Sequence, residues 1–326
     1  MKQEKNKKFK LFDPYRDGKG VDEVEDRTPT VKFFFKLFKR KFSQLLQLNL
    51  LMLFQIIPLL VIFFVVDVYG AKTPMVSDAL YAPLYGISKV APSASSVSLL
   101  DMVGIQMEST LYYTPAMLIV TVSMFIFLAL TFGFQNVGAA YVLRGLVRGD
   151  AVFVFSDYFY AIRRNAKQAF GMGLLDFAVT AILVWNLSFF TQQAGSQFAV
   201  DVMYFITLAL ALVYLVMRFY VYLLLVTFDL STLKIFKNAL IFTVLGIKRN
   251  LMAILGIVLL IVIHVALIIL ALTYGLAAFI VLPLVYIIAM FAFISTYAAY
   301  PIIDRYMIAP YVKPELTESA DAVTEE

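Results

Sequence analysis

The chain of 326 residues contains no cysteine and only one histidine. The lack of cysteine excludes a disulfide framework, a thiol nucleophile and a cysteine metal site. The single histidine, His264, cannot form a histidine-cluster metal site. The sequence also lacks a Gly-rich phosphate loop and the HExxH and GxSxG motifs, and no apolar stretch holds paired carboxylates at short helical spacing. We therefore expect no enzymatic activity, no catalytic residue, no metal and no cofactor.

Charged residues are scarce as well. They make up 15% of the chain, whereas hydrophobic residues make up 62%, and a soluble domain normally carries about 25% charged residues. Apolar stretches of about 20 residues, each long enough to cross roughly 30 Å of hydrocarbon, recur along the sequence. They cover residues 48–66, 115–134, 169–190, 202–228, 251–272 and 276–298. The sequence therefore predicts an all-α, polytopic membrane protein with six transmembrane helices.

The regions around these spans differ in composition. Residues 1–30 mix Lys, Asp, Glu, Gly and Pro with little apolar periodicity, which is typical of a disordered tail. A six-span membrane domain is predicted over residues 31–309, followed by an acidic tail at 310–326. Residues 67–114 form a long loop between the first two spans. This loop is interpreted either as an ordinary connection or as a lid or partner-docking surface.

The distribution of Lys and Arg predicts the orientation in the membrane. Of the 27 cations, 24 lie before span one, between spans two and three, between spans four and five, or after span six. Loops on the cytoplasmic side retain cations. We therefore expect a multi-pass protein of the cell membrane with both termini in the cytoplasm. The net charge of +5 follows from this topology, so it does not indicate nucleic-acid binding.

A basic amphipathic segment precedes each odd-numbered span. In SDYFYAIRRNAKQAF, the apolar residues Phe155, Phe159 and Ile162 recur at helical spacing, with Ser156 as the candidate N-cap. The segment that starts at Ser231 repeats this plan, as does TVKFFFKLFKRKF before span one. Such helices suit the interface of an anionic inner leaflet. Their predicted interfacial anchors are Lys39, Arg40, Arg163, Arg164, Lys167, Lys248 and Arg249.

These segments also align with one another. IRRNAKQAFGMGLL at 162–175 matches IKRNLMAILGIVLL at 247–260, and FKRKFSQLLQLNLL at 38–51 retains the basic pair and the Leu-Leu. We interpret them as three repeats of a basic interfacial helix plus a transmembrane hairpin, with the long outer loop inserted in the first. The alternative is that a basic pair before a Leu-rich run is common to all inward-anchored helices.

Three ionisable side chains fall inside predicted spans, where each costs at least about 2.5 kcal/mol on insertion scales. Asp176 and Arg218 belong to one predicted hairpin, so they form a structural ion pair or part of a pathway for a polar substrate or ion; alternatively, Arg218 snorkels inward. His264 is expected to hydrogen-bond a neighbouring helix. The amides that either line a polar cavity with these residues or merely cross-link helices are Gln135, Asn136 and Asn186.

The charged run YVLRGLVRGD, at Tyr141–Asp150, lies outside the repeated pattern. Arg144, Arg148 and Asp150 form a candidate cytoplasmic docking face for a protein partner. Gly145 and Gly149 are expected to break the helix at this point. The alternative is that the whole stretch is only a membrane anchor.

Three stretches together resemble a known family. They are FFKLFKRKFSQLLQLNLLMLF, GAAYVLRGLVRGDAVFVFSDYFYAIRRNAKQAFGMGLL and FDLSTLKIFKNALIFTVLGIKRN. Their order is similar to that of the YesL-like family of bacterial integral membrane proteins, which carries a domain of unknown function. The most specific piece is the VLRxxVRG[ED] run and the DFxxxxRxN pattern that follows it. The chain departs from the family at Gln135, Asn136 and Val137, where members usually show a GP[AS]-like turn.

The resemblance implies a membrane protein of Gram-positive bacteria, often encoded beside carbohydrate-uptake transporters, and it supplies no catalytic residues. We therefore expect an accessory or regulatory component of carbohydrate-uptake machinery, with permease or ATPase subunits of an ABC transporter as its partners. The alternative is a small transporter or channel in its own right. The mostly aliphatic spans favour the first reading, because a sugar pathway needs a polar and aromatic lining.

Overall fold

The computed structural model of the chain describes residues 28–68, 71–75, 108–112, 114–193, 195, 197–276 and 282–311. Most of the predicted disordered tail, most of the acidic tail and most of the predicted outer loop lie outside these residues. The described part is almost entirely helical, which confirms the all-α fold class. Its helices also confirm a multi-pass membrane protein, as set out below.

Nine α-helices are formed by the described residues. They are α1 (Val31–Leu53), α2 (Ile56–Val68), α3 (Pro115–Arg148), α4 (Val154–Arg164), α5 (Ala166–Gln192), α6 (Phe198–Thr227), α7 (Thr232–Leu245), α8 (Ile247–Thr273) and α9 (Ile287–Ile303). A π-helical turn at Asp304–Ile308 continues α9 to Tyr311. Between α2 and α3 the chain also forms two short antiparallel strands, β1 (Ala71–Met75) and β2 (Glu108–Tyr112), which the sequence did not predict.

Five of the helices, α3, α5, α6, α8 and α9, are long and apolar enough to cross a membrane. The bent pair α1–α2 makes a sixth span if it crosses as one unit. The bend of 47° lies at Phe54 and Gln55, within the span predicted over 48–66. Its physical cause is Pro58, which has no N–H to donate to the carbonyl of Phe54 and clashes with it. The first span is therefore broken where a hydropathy pattern predicts a continuous helix.

Two other predicted boundaries move. The last helix begins at Ile287 instead of near 276, because Pro283 lies in a 3₁₀ turn at Leu282–Val285 that precedes it. The second predicted span ends at residue 134, whereas α3 continues to Arg148. Gly145 lies inside α3, so the expectation that it breaks the helix is wrong. Gly149 does end the helix, in the left-handed conformation with φ of 81°.

The order of elements repeats three times. The units α1–α2–α3, α4–α5–α6 and α7–α8–α9 each consist of a basic helix followed by two more helices. The breaks after the basic helices do not share one register, however. The first break, at Phe54–Gln55, lies well after its basic pair, and the second, at Asn165, lies directly after its pair. The third, at Gly246, lies two residues before its pair. The element order fits the predicted repeat, while the residue alignment does not place the breaks.

The basic helix α4 has two apolar faces. Val154, Tyr158 and Ala161 are buried against the protein, and burial raises the pKa of the Tyr158 hydroxyl. The predicted stripe lies on the other side, where Phe155 and Phe159 are about half exposed. Helix α4 therefore packs on the bundle with one face and leaves the predicted apolar stripe for the membrane interface. Helix α7 does the same, with Ile235 and Ala239 buried and its own outer face exposed.

The predicted caps of these two basic helices differ in outcome. Ser156 is not the N-cap of α4, because the helix begins earlier, at Val154. The Asp157 carboxylate instead accepts a hydrogen bond from the N–H of Phe153, the residue at the cap position. Ser231 does occupy the N-cap position of α7, as predicted, although its side chain makes no capping hydrogen bond.

Helix α3 is the centre of the bundle, in contact with α1, α2, α4, α5, α6 and α9. Its closest neighbour is α5, where Gly133 and Gly173 meet backbone to backbone. A Cβ added to Gly173 would lie 2.2 Å from the Gly133 Cα, and one added to Gly133 would lie 1.8 Å from the Ala169 carbonyl oxygen. Small residues let membrane helices approach in this way, because packing is the main force that joins them in lipid.

This contact predicts different effects for two glycines on the same helix. We expect Gly173→Ala to lower the free energy of unfolding by about 1–3 kcal/mol, because backbone atoms cannot move aside for the added methyl group. Gly171→Ala is the matched control, since a Cβ at Gly171 meets no atom within 4 Å. A denaturation titration of both variants in mixed micelles is the measurement. Equal midpoints for the two variants would contradict the close approach.

Candidate functional site

The most polar group within the bundle is Asp176, which lies on α5 and is 1% exposed. Its carboxylate is held mainly by side chains of α6, the next helix in the chain. The Arg218 Nε lies 3.0 Å from Oδ1 and donates to Oδ2 at 3.1 Å. The Tyr214 hydroxyl donates to Oδ1 at 2.7 Å, and the Tyr222 hydroxyl donates to Oδ2 at 2.6 Å. The predicted pair of Asp176 and Arg218 therefore forms, within a larger cluster.

The helical repeat explains how α6 supplies three donors to one carboxylate. Tyr214, Arg218 and Tyr222 are spaced four residues apart, so they lie on one face of the helix, one above another. Arg218 sits between the two tyrosines and also lies over the Phe132 ring of α3, with its Cζ 5.3 Å from the ring centroid. Neither tyrosine was predicted from the sequence to belong to the site. The signal that could have found them is the YxxxRxxxY spacing around an arginine within a span.

The chemistry of this cluster is that of a closed ion pair. Both carboxylate oxygens of Asp176 accept hydrogen bonds from charged or phenolic donors, and Thr180 on the next turn of α5 adds a longer contact at 3.4 Å to Oδ1. A buried carboxylate is stable only when it is paired and hydrogen-bonded. The hairpin formed by α5 and α6 supplies all of the described partners of this carboxylate. Arg218 turns to Asp176 and does not snorkel along α6 to the interface.

His264 hydrogen-bonds in the way the sequence predicts. It is buried on α8, and its Nε2 is within hydrogen-bonding distance of the Tyr286 hydroxyl, just before α9. Its Nδ1 faces the Leu260 carbonyl oxygen of its own helix at 2.6 Å. Both ring nitrogens are thus occupied within the protein, and His264 links α8 to the start of α9.

The amides predicted to share a polar cavity with these residues lie apart from one another. Gln135 is buried on α3 and donates to the carbonyl oxygens of Leu51 and Met52. Asn136 donates to a carbonyl of its own helix, and Asn186 is half-buried near the far end of α5. The structure gives these amides separate surroundings, and none of them lines either of the two cavities described below.

Gln135 donates hydrogen bonds to backbone carbonyls next to a break between two helices. The Leu51 and Met52 carbonyls lie at the end of α1, just before the bend, and the side-chain N–H₂ of Gln135 donates to both, at 2.9 and 2.7 Å. The Met52 carbonyl also accepts from the backbone N–H of Gln55 at 3.2 Å. Asn49, which was not among the predicted site residues, acts in the same way near the start of α9. Its Nδ2 donates to the Leu284 carbonyl at 2.7 Å, and its Oδ1 accepts from the Ala289 N–H at 3.0 Å.

At the α4–α5 and α7–α8 breaks the amides are asparagines, Asn165 and Asn250, which occupy matching positions in the sequence alignment of the repeats. Asn165 donates to the Ala161 carbonyl at 2.9 Å, and Asn250 donates to the Thr243 carbonyl at 3.0 Å. Each asparagine therefore bonds back to the basic helix that precedes its span. Asn250 also accepts from the Tyr220 hydroxyl at 2.7 Å, which ties α8 to α6.

The predicted docking face divides into two parts. Arg144 turns inward, where its Nη1 donates to the Val226 carbonyl at 2.6 Å and to the Thr227 hydroxyl at 3.2 Å. It therefore caps the last turn of α6 and stacks over the Tyr141 ring, so its guanidinium group is bonded within the protein. Arg148 and Asp150 are about half exposed and lie 3.4 Å apart. Only these two present charge at the surface.

The predicted anchors mostly remain at the surface. Among them, Lys39, Arg40, Arg163, Arg164, Lys167 and Lys248 are exposed. Arg249 differs, because it is half-buried at the start of α8 and its Nη2 donates to the Pro29 carbonyl at 3.2 Å. It therefore holds the chain that leads into α1, and the Tyr297 hydroxyl holds the adjacent Thr30 carbonyl at 2.7 Å.

Two cavities adjoin these basic residues. One, of about 550 Å³, lies between the α4–α5 corner and the end of α6; its charged lining is Arg163, Arg164, Lys167 and Asp229. The other, of about 420 Å³, is an open groove among α1, α8 and α9 with almost entirely apolar walls. Neither cavity reaches the Asp176 cluster or His264.

Comparison with family models, with curated proteins and with solved structures found no match to the chain. The resemblance to the YesL-like family therefore stays a prediction from the sequence.

The Asp176 cluster predicts a strong energetic coupling. Removing one partner of a buried ion pair costs about 3–5 kcal/mol, because the other charge is left unpaired. We expect Asp176→Asn and Arg218→Gln each to destabilise the protein, and the double variant to lose about 0.5–3 kcal/mol less than their sum. Denaturation titrations of the four proteins measure this coupling.

A tyrosine pair gives the matched control. We expect Tyr222→Phe to lower the free energy of unfolding by about 1–3 kcal/mol, because it removes a donor to a buried carboxylate. Tyr204→Phe, nearer the start of the same helix and away from Asp176, should change it little. For the ion pair itself, strictly additive losses in the Asp176→Asn, Arg218→Gln double variant would contradict a closed pair.

Proposed function

We propose that the chain is an accessory or regulatory membrane component that associates with an ABC transporter for carbohydrate uptake. In this proposal it resides in the cell membrane with both termini in the cytoplasm. The sequence resemblance motivates the partner class, and the distribution of cations motivates the orientation. The observation that carries the non-conducting role is the bonding of Asp176, whose two oxygens are occupied by donors of its own hairpin.

A conduit would use intramembrane polar groups differently. Coupling ions and polar substrates are bound by groups that face a shared cavity and exchange partners during transport. Within the described ranges, Asp176, His264 and Gln135 are each buried and bonded to separate protein partners. This arrangement favours a structural role over the alternative of a small transporter or channel.

The surface of the bundle offers two kinds of contact to a partner. In each of α5, α6 and α8, only 11% of an apolar 18-residue stretch is buried inside the protein. Most of each helix therefore faces lipid or another membrane protein. At the basic end, Arg148 and Asp150 present exposed charge at the C-terminal end of α3. We propose that these two side chains contribute to contact with a cytoplasmic ATPase or with permease loops.

Affinity purification from mild detergent tests this proposal. Permease or ATPase subunits should be recovered with the unsubstituted chain, and the Arg148→Ala, Asp150→Ala double variant should reduce their recovery about fivefold, equivalent to about 1 kcal/mol. Arg163→Ala is the matched control, because Arg163 is an exposed cation on a different helix. Arg144 is unsuitable for this purpose, since its loss would also remove the cap of α6.

Two results would contradict the proposal. One is repeated recovery of the protein without any transporter subunit. The other is uptake of a sugar or ion by proteoliposomes that contain only this chain, which would establish the transporter alternative instead.

A further inference from the structure

The apolar groove among α1, α8 and α9 has the features of a site for one lipid molecule. Its α8 wall consists of residues three or four positions apart, a spacing that forms one continuous stripe along the helix. These residues are Arg249, Met252, Ala253, Gly256, Leu259, Leu260 and Ile263. Val31 and Phe34 of α1 and Met290 and Ile294 of α9 form the facing walls.

The length of the groove matches one leaflet. Its α8 stripe runs from Arg249 to Ile263, which is about 21 Å at 1.5 Å per residue. The hydrocarbon of one leaflet is about 15 Å thick, half of the roughly 30 Å core, so a tilted chain of one leaflet would fill the stripe. The groove is therefore neither a through-going channel nor a small surface dent.

Charge lies at one end of the groove only. Arg249 is in the first turn of α8, beside the Pro29 carbonyl and Thr30. Its described hydrogen bond uses one of the five N–H donors of the guanidinium group, so donors remain for a phosphate oxygen. The rest of the lining is apolar apart from Thr30 and the Tyr297 hydroxyl, and it includes the rings of Phe34, Phe35 and Tyr297. A molecule that fits must be anionic at one end and apolar along the rest.

We infer that the groove binds one acyl chain of an anionic phospholipid, with the phosphate at Arg249. A peptide segment fits less well, because its backbone N–H and C=O groups would need partners at membrane depth. The aliphatic walls from Met252 to Ile263 offer no such partners. A lipid chain needs none.

Gly256 provides a direct way to fill the groove. A Cβ at this position would meet only the Ile294 Cγ2, at an ordinary contact distance of 3.6 Å, so a larger side chain extends into the groove. Gly256→Phe should therefore exclude the acyl chain. Gly171→Phe is the matched control, because Gly171 is also a glycine within an apolar helix and a Cβ there meets open space.

The test is native mass spectrometry of the full chain in detergent with equimolar phosphatidylglycerol and phosphatidylcholine of identical acyl chains. We expect the unsubstituted chain and Gly171→Phe to retain one phosphatidylglycerol, and Gly256→Phe to retain none. Arg249→Gln should lower the preference for phosphatidylglycerol about fivefold, the effect of about 1 kcal/mol for one cation at an anionic surface. Lys248→Gln, an exposed neighbour outside the groove lining, should leave the preference unchanged.

Three outcomes would overturn the inference. The first is equal lipid retention by Gly256→Phe and Gly171→Phe. The second is equal retention of the two phospholipids by the unsubstituted chain. The third is retention of no lipid by that chain, which would leave a segment of protein as the occupant of the groove.

Discussion

The structure depends on one constraint: backbone groups at membrane depth must find hydrogen-bond partners within the protein. A straight helix meets this requirement by itself, but a broken helix leaves carbonyls free. At four of the breaks between the described helices, an amide side chain donates to a backbone carbonyl. The amides are Gln135 at the α1–α2 bend, Asn165 before α5, Asn250 after the start of α8 and Asn49 at the start of α9.

The Asp176 cluster obeys the same rule for a charge. A carboxylate on α5 would be costly in lipid, and α6 supplies its counter-charge and two phenolic donors on a single face. The Gly133–Gly173 contact draws α5 against α3, which also places the Phe132 ring under Arg218. Packing and polar bonding therefore stabilise the same three helices. The intramembrane polar residues are structural supports for a bundle whose outer surface remains apolar.

The sequence predicts most of this at the level of composition and spacing. Apolar length predicts the spans, and the depths of Asp176 and Arg218 in one hairpin predict their pairing. Other features cannot be predicted from hydropathy, because an average over about 20 residues does not show single polar groups. Tyr222 counts as an apolar residue within a span, and Asn49 is a single polar residue in a long helix. Which polar side chain serves which break depends on helix packing, so Arg144 could be predicted as functional and yet be a cap.

The central claim is that the Asp176 carboxylate is buried and bonded within its own hairpin, and is therefore not part of a water-filled pathway. Because the chain contains no cysteine, single-cysteine variants report accessibility without background. Thr180→Cys, beside Asp176, and Arg164→Cys, at the exposed basic end, should be treated with a charged, membrane-impermeant thiol reagent in inside-out and right-side-out vesicles. We expect Arg164→Cys to react in the vesicle orientation that exposes the basic end to the reagent. Thr180→Cys should react in neither orientation until the protein is denatured. Reaction of Thr180→Cys in native membranes at a rate comparable to that of Arg164→Cys would contradict the central claim.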